Sequence, residues 1–309
     1  MRGRARAHAH ARPRIAVLVA VSASLAVIAF PSLVAGKSSN SKGSTKKSTV
    51  ALPTGAVAAT SAPCANNTHA TGGGLAVTTG WDPATKVGTQ TEPQTSFPPG
   101  KGKWRAGASS LKNEAAANLT TYTRCEKNSF GKTSKISGAV AIQPGTGQTL
   151  LAACPANTHV LSGGYSVNPA FDSNAQAGTT SHMIIQQSRR TSTRTWSVSA
   201  ANPGQPAAQL TAYALCEKNN GASVSEASGF ASVPNNSRHS VSAKCGNNKH
   251  VIGGGFAVTP LLTSSASPVI DTSMPSGSQT WVVAGYVQGG SPGASITAYA
   301  YCKSNKPPS

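Results

Sequence analysis

The chain has 309 residues, of which only 11% are charged and 5% aromatic, yet its formal net charge is +19. Disorder normally couples low hydrophobicity to dense charge. Here 38% of residues are hydrophobic, and they fall in short alternating runs, which excludes a solvated coil and points to an all-β chain with polar loops. The charge is not one field: Arg2, Arg4, Arg6, Arg12 and Arg14 precede the first apolar run, and Lys37, Lys42, Lys46 and Lys47 follow it. From Ala51 onward 18 basic residues against 8 acidic ones leave +10, enough for a general attraction to polyanions.

Residues 1–36 read as a targeting segment. A basic stretch to Arg14 leads into an apolar run from Ile15 to Val34, broken by Pro31, and Val34-Ala35-Gly36 satisfies the small-residue rule for cleavage before Lys37. A run of about 20 apolar residues also suffices for an uncleaved membrane anchor. Either reading puts the remainder outside the cytoplasm, as a secreted chain or a membrane-anchored, extracytoplasmic one that meets the membrane only through this segment. Residues 37–50 are rich in Ser, Lys and Gly and read as a basic flexible linker.

Three copies of one unit follow, read as domains at 51–130, 137–220 and 228–305. Their opening blocks are CANNTHATGGGLAV from Cys64, CPANTHVLSGGYSV from Cys154 and CGNNKHVIGGGFAV from Cys245, aligned without gaps and agreeing in all copies at six of fourteen positions. The shared residues are the Cys, an Asn (Asn67, Asn157, Asn248), a His (His69, His159, His250), two Gly and a Val. A closing block ends each copy: LTTYTRCEKN, LTAYALCEKN and ITAYAYCKSN, with Trp104, Trp196 or Trp281 about twenty residues before its Cys.

Each copy holds two cysteines, and internal pairing (Cys64–Cys125, Cys154–Cys216, Cys245–Cys302) makes every repeat the same closed unit. Such a staple stabilises by about 4 kcal/mol in the chain-entropy model, which matters for a thin core. In the middle copy Gly138–Ile142, Thr149–Cys154, His159–Val167, Met183–Gln187, Trp196–Ala200 and Gln209–Cys216 are strand candidates separated by Gly, Pro, Asn and Ser clusters. The expected fold is therefore all-β: three tandem small antiparallel β-sandwich or barrel domains, each with one internal disulfide.

The Gly pairs inside a strand pattern mark a bulge, a positive φ or a close backbone approach. A phosphate loop would need a following Lys-Ser/Thr and a helix, and has neither. The Trp reads as core, packed against the disulfide. Three histidines could converge on a metal if the repeats close around an axis, but their place in a turn before a strand favours backbone hydrogen bonding, and no resident metal or cofactor is expected. Catalysis is disfavoured: the acids Asp82, Glu92, Glu114, Glu126, Asp172, Glu217, Glu226 and Asp271 nominate no facing pair, no nucleophile elbow appears, and the thiols are all assigned to bridges.

The loops before the Trp carry Lys101, Lys103 and Arg105 in the first copy and Arg189, Arg190 and Arg194 in the second, with no base in the third. These are the candidate anion-binding residues, for an anionic cell-surface polymer or glycan; specific nucleic-acid binding is disfavoured by export and by the lack of interleaved aromatics. A lectin-like alternative would use these loops together with those of Trp81-Asp82 and Phe171-Asp172.

The pattern of Cys, turn, Gly pair, Ser-x-Pro, Trp and closing Ala-Tyr-Ala-x-Cys resembles a repeat of secreted proteins from high-GC Gram-positive bacteria. It is carried here by Cys154–Val167, by Ser273-Met274-Pro275 with Trp281, and by Ala298–Cys302, and the first copy keeps Ser96-Phe97-Pro98. The second departs with Ser188-Arg189-Arg190. The resemblance spans nearly everything after Ala51 and implies a secreted β-domain, with no activity to carry over.

Overall fold

The computed structural model describes residues 43–78, 81–82, 87–88, 91–100, 102–110, 116–127, 133–170, 183–203, 206–218, 224–261, 268–287 and 293–304. The targeting segment lies outside them. The first repeat contributes β1 (Gly43–Leu52), β2 (Val57–Pro63), β3 (Thr68–Thr78), a short ladder of β4 (Trp81–Asp82) and β5 (Val87–Gly88), then β6 (Thr91–Gly100), β7 (Lys103–Ser110) and β8 (Ala117–Lys127). The second has β9 (Thr133–Ile142), β10 (Thr146–Ala153), β11 (Thr158–Asn168), β12 (Ile184–Arg190), β13 (Thr195–Asn202) and β14 (Ala208–Lys218). The third has β15 (Ser225–Val233), β16 (Ser237–Lys244), β17 (Lys249–Thr259), β18 (Val269–Ser276), β19 (Thr280–Val287) and β20 (Ala294–Ser304). The six strands expected in the middle repeat are all present; most ends run longer than expected, while Cys154 and Met183 fall just outside β10 and β12.

One reading is corrected. Part of the presumed flexible linker, from Gly43 onward, is strand β1, paired along its whole length with β8 from Gly43↔Glu126 to Leu52↔Ala117. Ser, Thr and Lys fill every position between Gly43 and Val50, and most are exposed, so this polar strand has the composition of a linker. The second and third repeats likewise begin earlier than expected, at Thr133 and Ser225.

The three disulfides pair as expected, Cys64–Cys125, Cys154–Cys216 and Cys245–Cys302, each with Cα atoms 5.7 Å apart. The repeats do not stand in a row. Each is a corner made of two three-stranded half-sheets, and each of the three six-stranded antiparallel sheets joins halves from two repeats. The orders are β1-β8-β3-β18-β19-β16, β2-β7-β6-β11-β14-β9 and β10-β13-β12-β17-β20-β15. The third strand of each repeat thus pairs with the strand that opens the pre-Trp hairpin of another: β11 with β6, β17 with β12 and β3 with β18, and the last of these closes the ring.

Closure explains the repeated residues. The Trp rings are fully buried, and each indole N–H donates to a serine hydroxyl: Trp104 to Ser96, Trp196 to Ser188 and Trp281 to Ser273, at 3.0, 3.1 and 3.0 Å. The Trp lies on the first Gly of the pair; a Cβ on Gly73, Gly163 or Gly254 would overlap Trp104, Trp196 or Trp281. The second Gly meets the neighbouring repeat: a Cβ on Gly74, Gly164 or Gly255 would overlap the carbonyl of Ser273, Ser96 or Ser188. A classification as bulge or positive φ is therefore secondary to close approach on both faces. The repeated Asn has its own reason, since Asn67, Asn157 and Asn248 sit at φ 61°, 59° and 60°, a left-handed turn that Asn tolerates better than most side chains.

At the axis the three third strands touch directly. Ser162 Oγ donates to the Thr71 carbonyl at 2.6 Å and Thr71 Oγ1 to the Ile252 carbonyl at 2.9 Å. Gly163→Ala is expected to cost about 1–3 kcal/mol through overpacking, whereas Gly246→Ala, with open space around its Cβ, leaves stability unchanged; urea unfolding of the two variants checks this.

Candidate functional site at the cationic end

Strand register assigns each described strand residue to one end of the closed ring of sheets. The starts of the third strands, the pre-Trp hairpins, the closing cysteines and the start of β1 share one end. Every described lysine, and every described arginine except Arg238, lies in the half of its strand nearer that end or in the turns there. The opposite end holds buried Asp271 and Glu92. Among the described residues the basic side chains are thus concentrated at one end, where they outnumber Glu126, Glu217 and Glu226.

The candidate anion-binding residues gather at this cationic end but play different parts. Lys103 and Arg105 are exposed at the start of β7, and Lys101 lies outside the described residues. Arg194 anchors its own hairpin, donating from Nε and Nη2 to the Cys154 carbonyl at 3.1 and 2.9 Å, and remains exposed. Arg189 is half-buried over Tyr299, 5.0 Å from the ring centre. Arg190 is buried and structural: it stacks on Tyr301, donates to the Val224 carbonyl at 3.2 Å and lies 3.9 Å from Glu226. It is not an exposed anion ligand. Sequence reasoning missed Lys244, Lys127 and Lys218, exposed at the ends of β16, β8 and β14. The third hairpin carries no base, but Lys244 pairs in register with Thr280 beside it. Only the strand register could reveal that these lysines share a rim with the hairpins.

Behind the rim lies a buried polar cluster built from the repeated His and the residue after each closing Cys. His250 of the third repeat meets Glu126 of the first at 2.5 Å. His159 Nε2 lies 3.2 Å from Glu217 Oε2, an ion-pair contact that lacks hydrogen-bond alignment, and Lys303 of the third repeat reaches the same oxygen at 3.5 Å. Burial lowers the Lys303 pKa, while the fields of Glu217 and Glu126 pull it back up. Glu126 and Glu217 are 1% and 0% exposed, so these carboxylates bind repeats together and are withheld from any substrate. His159 and His250 thus each have a carboxylate as charged partner. Among the described residues no group of three or more His, Cys, Asp or Glu is arranged to hold a metal.

At the far end Asp271 is fully buried, which raises its carboxyl pKa, against the pull of Arg238, whose Nε and Nη2 donate to it at 2.7 and 2.9 Å. Phe171 and Asp172, and the side chains of Trp81 and Asp82, lie outside the described residues. No protein-family model matches the chain, and no curated protein matches it.

Lys303 breaks the symmetry: the equivalent positions are Glu126 and Glu217. Lys303→Glu would crowd three carboxylates together with no ammonium among them. The expected loss is about 3–5 kcal/mol, the scale of a broken buried pair; urea midpoints of the variant and the parent chain measure it.

Proposed function

We propose that the protein is a non-catalytic, extracytoplasmic binding module that presents its cationic end to a linear polyanion of the cell surface. The observation that carries the reading is the concentration of the described basic side chains at one end of the ring. Exposed Lys103, Arg105, Arg194, Lys244, Lys127 and Lys218 form a rim contributed by all three repeats, so a flexible anionic chain crossing that end would meet a cation whichever way it lay. Spread-out point charges on a rigid frame suit repeated contacts with a polymer better than capture of one small ion.

The chemistry of the remaining groups supports a binding role over a hydrolytic one. Glu126, Glu217 and Asp271 are buried in structural pairs, and all six cysteines are in disulfides. Those disulfides fit an oxidising compartment outside the cytoplasm, and a targeting segment before β1 fits the same reading. β1 starts at the cationic end, with Gly43 opposite Glu126, so the chain enters the fold on the face assigned to the polymer.

The test is retention of the full chain on immobilised poly(glycerol phosphate), with dextran as the neutral control, across a salt series. Retention that weakens with salt and drops at least tenfold in affinity for Lys103→Glu/Arg194→Glu/Lys244→Glu is expected, while Gln143→Glu/Leu261→Glu at the far end leaves it near the starting value. Equal losses from both ends, or none from the rim, would refute a polar binding face.

A further inference from the structure

The three seams between repeats are built alike but filled differently. The ladder between repeats is two residue pairs long, as in Tyr165↔Ser96 and Ser166↔Thr95. The pairing stops there, and toward the cationic end a side chain just before the closing Cys stands beside the seam: Arg124, Leu215 or Tyr301. Facing it are the third residue of the Ser-x-Pro position (Pro275, Pro98 or Arg190) and a register partner from a first strand: Thr45↔Arg124, Lys135↔Leu215 and Glu226↔Tyr301.

Between the second and third repeats the space is full. Tyr301 packs edge-on against Trp196 with ring centres 5.6 Å apart and accepts from the Arg190 N–H at 2.7 Å, while the Arg190 guanidinium lies 4.9 Å over its ring. Between the third and first, Arg124 itself spans the gap, donating from Nε to the Val251 carbonyl at 2.7 Å and from Nη1 to Thr45 Oγ1 at 3.1 Å. Between the first and second, both plugs are short. Leu215 stands for Tyr301, Pro98 for Arg190, and Lys135 for Glu226. A cavity of about 170 Å³ remains there, lined by Ala70, Pro98, Gly100, Gly102, Thr133, Lys135 and Leu215.

We infer that this seam is a binding site for a small organic anion with a compact apolar body of about benzene's size. An apolar cavity of about 150 Å³ accepts such a guest. Its walls are apolar at Ala70, Pro98 and Leu215, and among the described lining residues the one ionisable side chain is a cation, where the filled seam carries Glu226 to balance its own arginine. Lys135 lines the cavity, and its ammonium is held beside it, 5.1 Å over Tyr213, whose ring stacks on Phe97 at 4.5 Å. The guest takes the volume that a guanidinium–phenol stack takes in the twin seam, with its charge sign reversed because the facing residue is reversed. This site stands independently of the polymer reading, since it needs one lysine and a cavity and not the rim.

The experiment is calorimetric and ligand-observed NMR titration of the full chain with benzoate, against benzyl alcohol as the uncharged control. Binding with a Kd of about 1 mM or tighter and at least tenfold preference for benzoate are expected. Lys135→Met, a substitution at an exposed position, loses that preference while the unfolding midpoint holds. Leu215→Tyr/Pro98→Arg/Lys135→Glu rebuilds the filled seam and abolishes binding, with the poly(glycerol phosphate) retention of Leu215→Tyr alone unchanged. Absence of benzoate binding at about 10 mM, or undiminished binding to the rebuilt seam, overturns the site without touching the polymer reading.

Discussion

Everything in the fold depends on one close approach: the third strand of each repeat lies against the backbone of another repeat on one face and against its own Trp on the other. Two consecutive glycines make both contacts possible, because a Cβ at either position would overlap an indole ring or a carbonyl oxygen. The disulfide ties the two half-sheets of a corner, and the Trp–Ser hydrogen bond fixes the indole within it. With the corner rigid, its third strand is presented edgewise at the angle that pairs with the next. The sheets are thereby shared, and no repeat keeps both of its inner strands to itself.

Closing three copies of one unit brings equivalent residues into mutual range, which is where exact repetition becomes costly. A carboxylate follows the closing Cys in two copies; a third would add like charge to a space with little water. Lys303 resolves this, and His159 and His250, near the starts of their third strands, complete a cluster spanning all repeats. The same reasoning applies at the axis, where Gly72 and Gly253 leave room for the one side chain, Ser162, that occupies the equivalent place. The seams follow a third version of the rule, with Arg124, Tyr301 and Leu215 giving three different fillings of one gap. Symmetry here is a backbone property, broken wherever side chains from different copies meet.

The repeat, its cysteine pairing, the buried Trp and the six strands of a unit were legible in the sequence because they are local or recur at fixed spacing. The strand from Gly43 was not: a ladder strand with Ser, Thr and Lys on an exposed face has the composition of a linker, and only its pairing with β8 distinguishes the two. Sharing of the sheets was also hidden, since a Gly pair signals close approach without naming the partner. Of the basic residues, Lys103 and Arg105 kept the exposure their loop position implied, but Arg190 did not. Its burial depends on Tyr301, more than a hundred residues later. Lys244 was overlooked for the converse reason, lying far from its hairpin in sequence and beside it in register.

The pairing of β3 with β18 means that the ring has no first member. The seam joining the last repeat to the first is built from the same parts as the seams within the chain, and β1 and β20 begin and end at the same face. Chain order is thus incidental to the assembled body: its breaks fall at one of three equivalent corners, and a chain opened at either of the other two would enclose the same core.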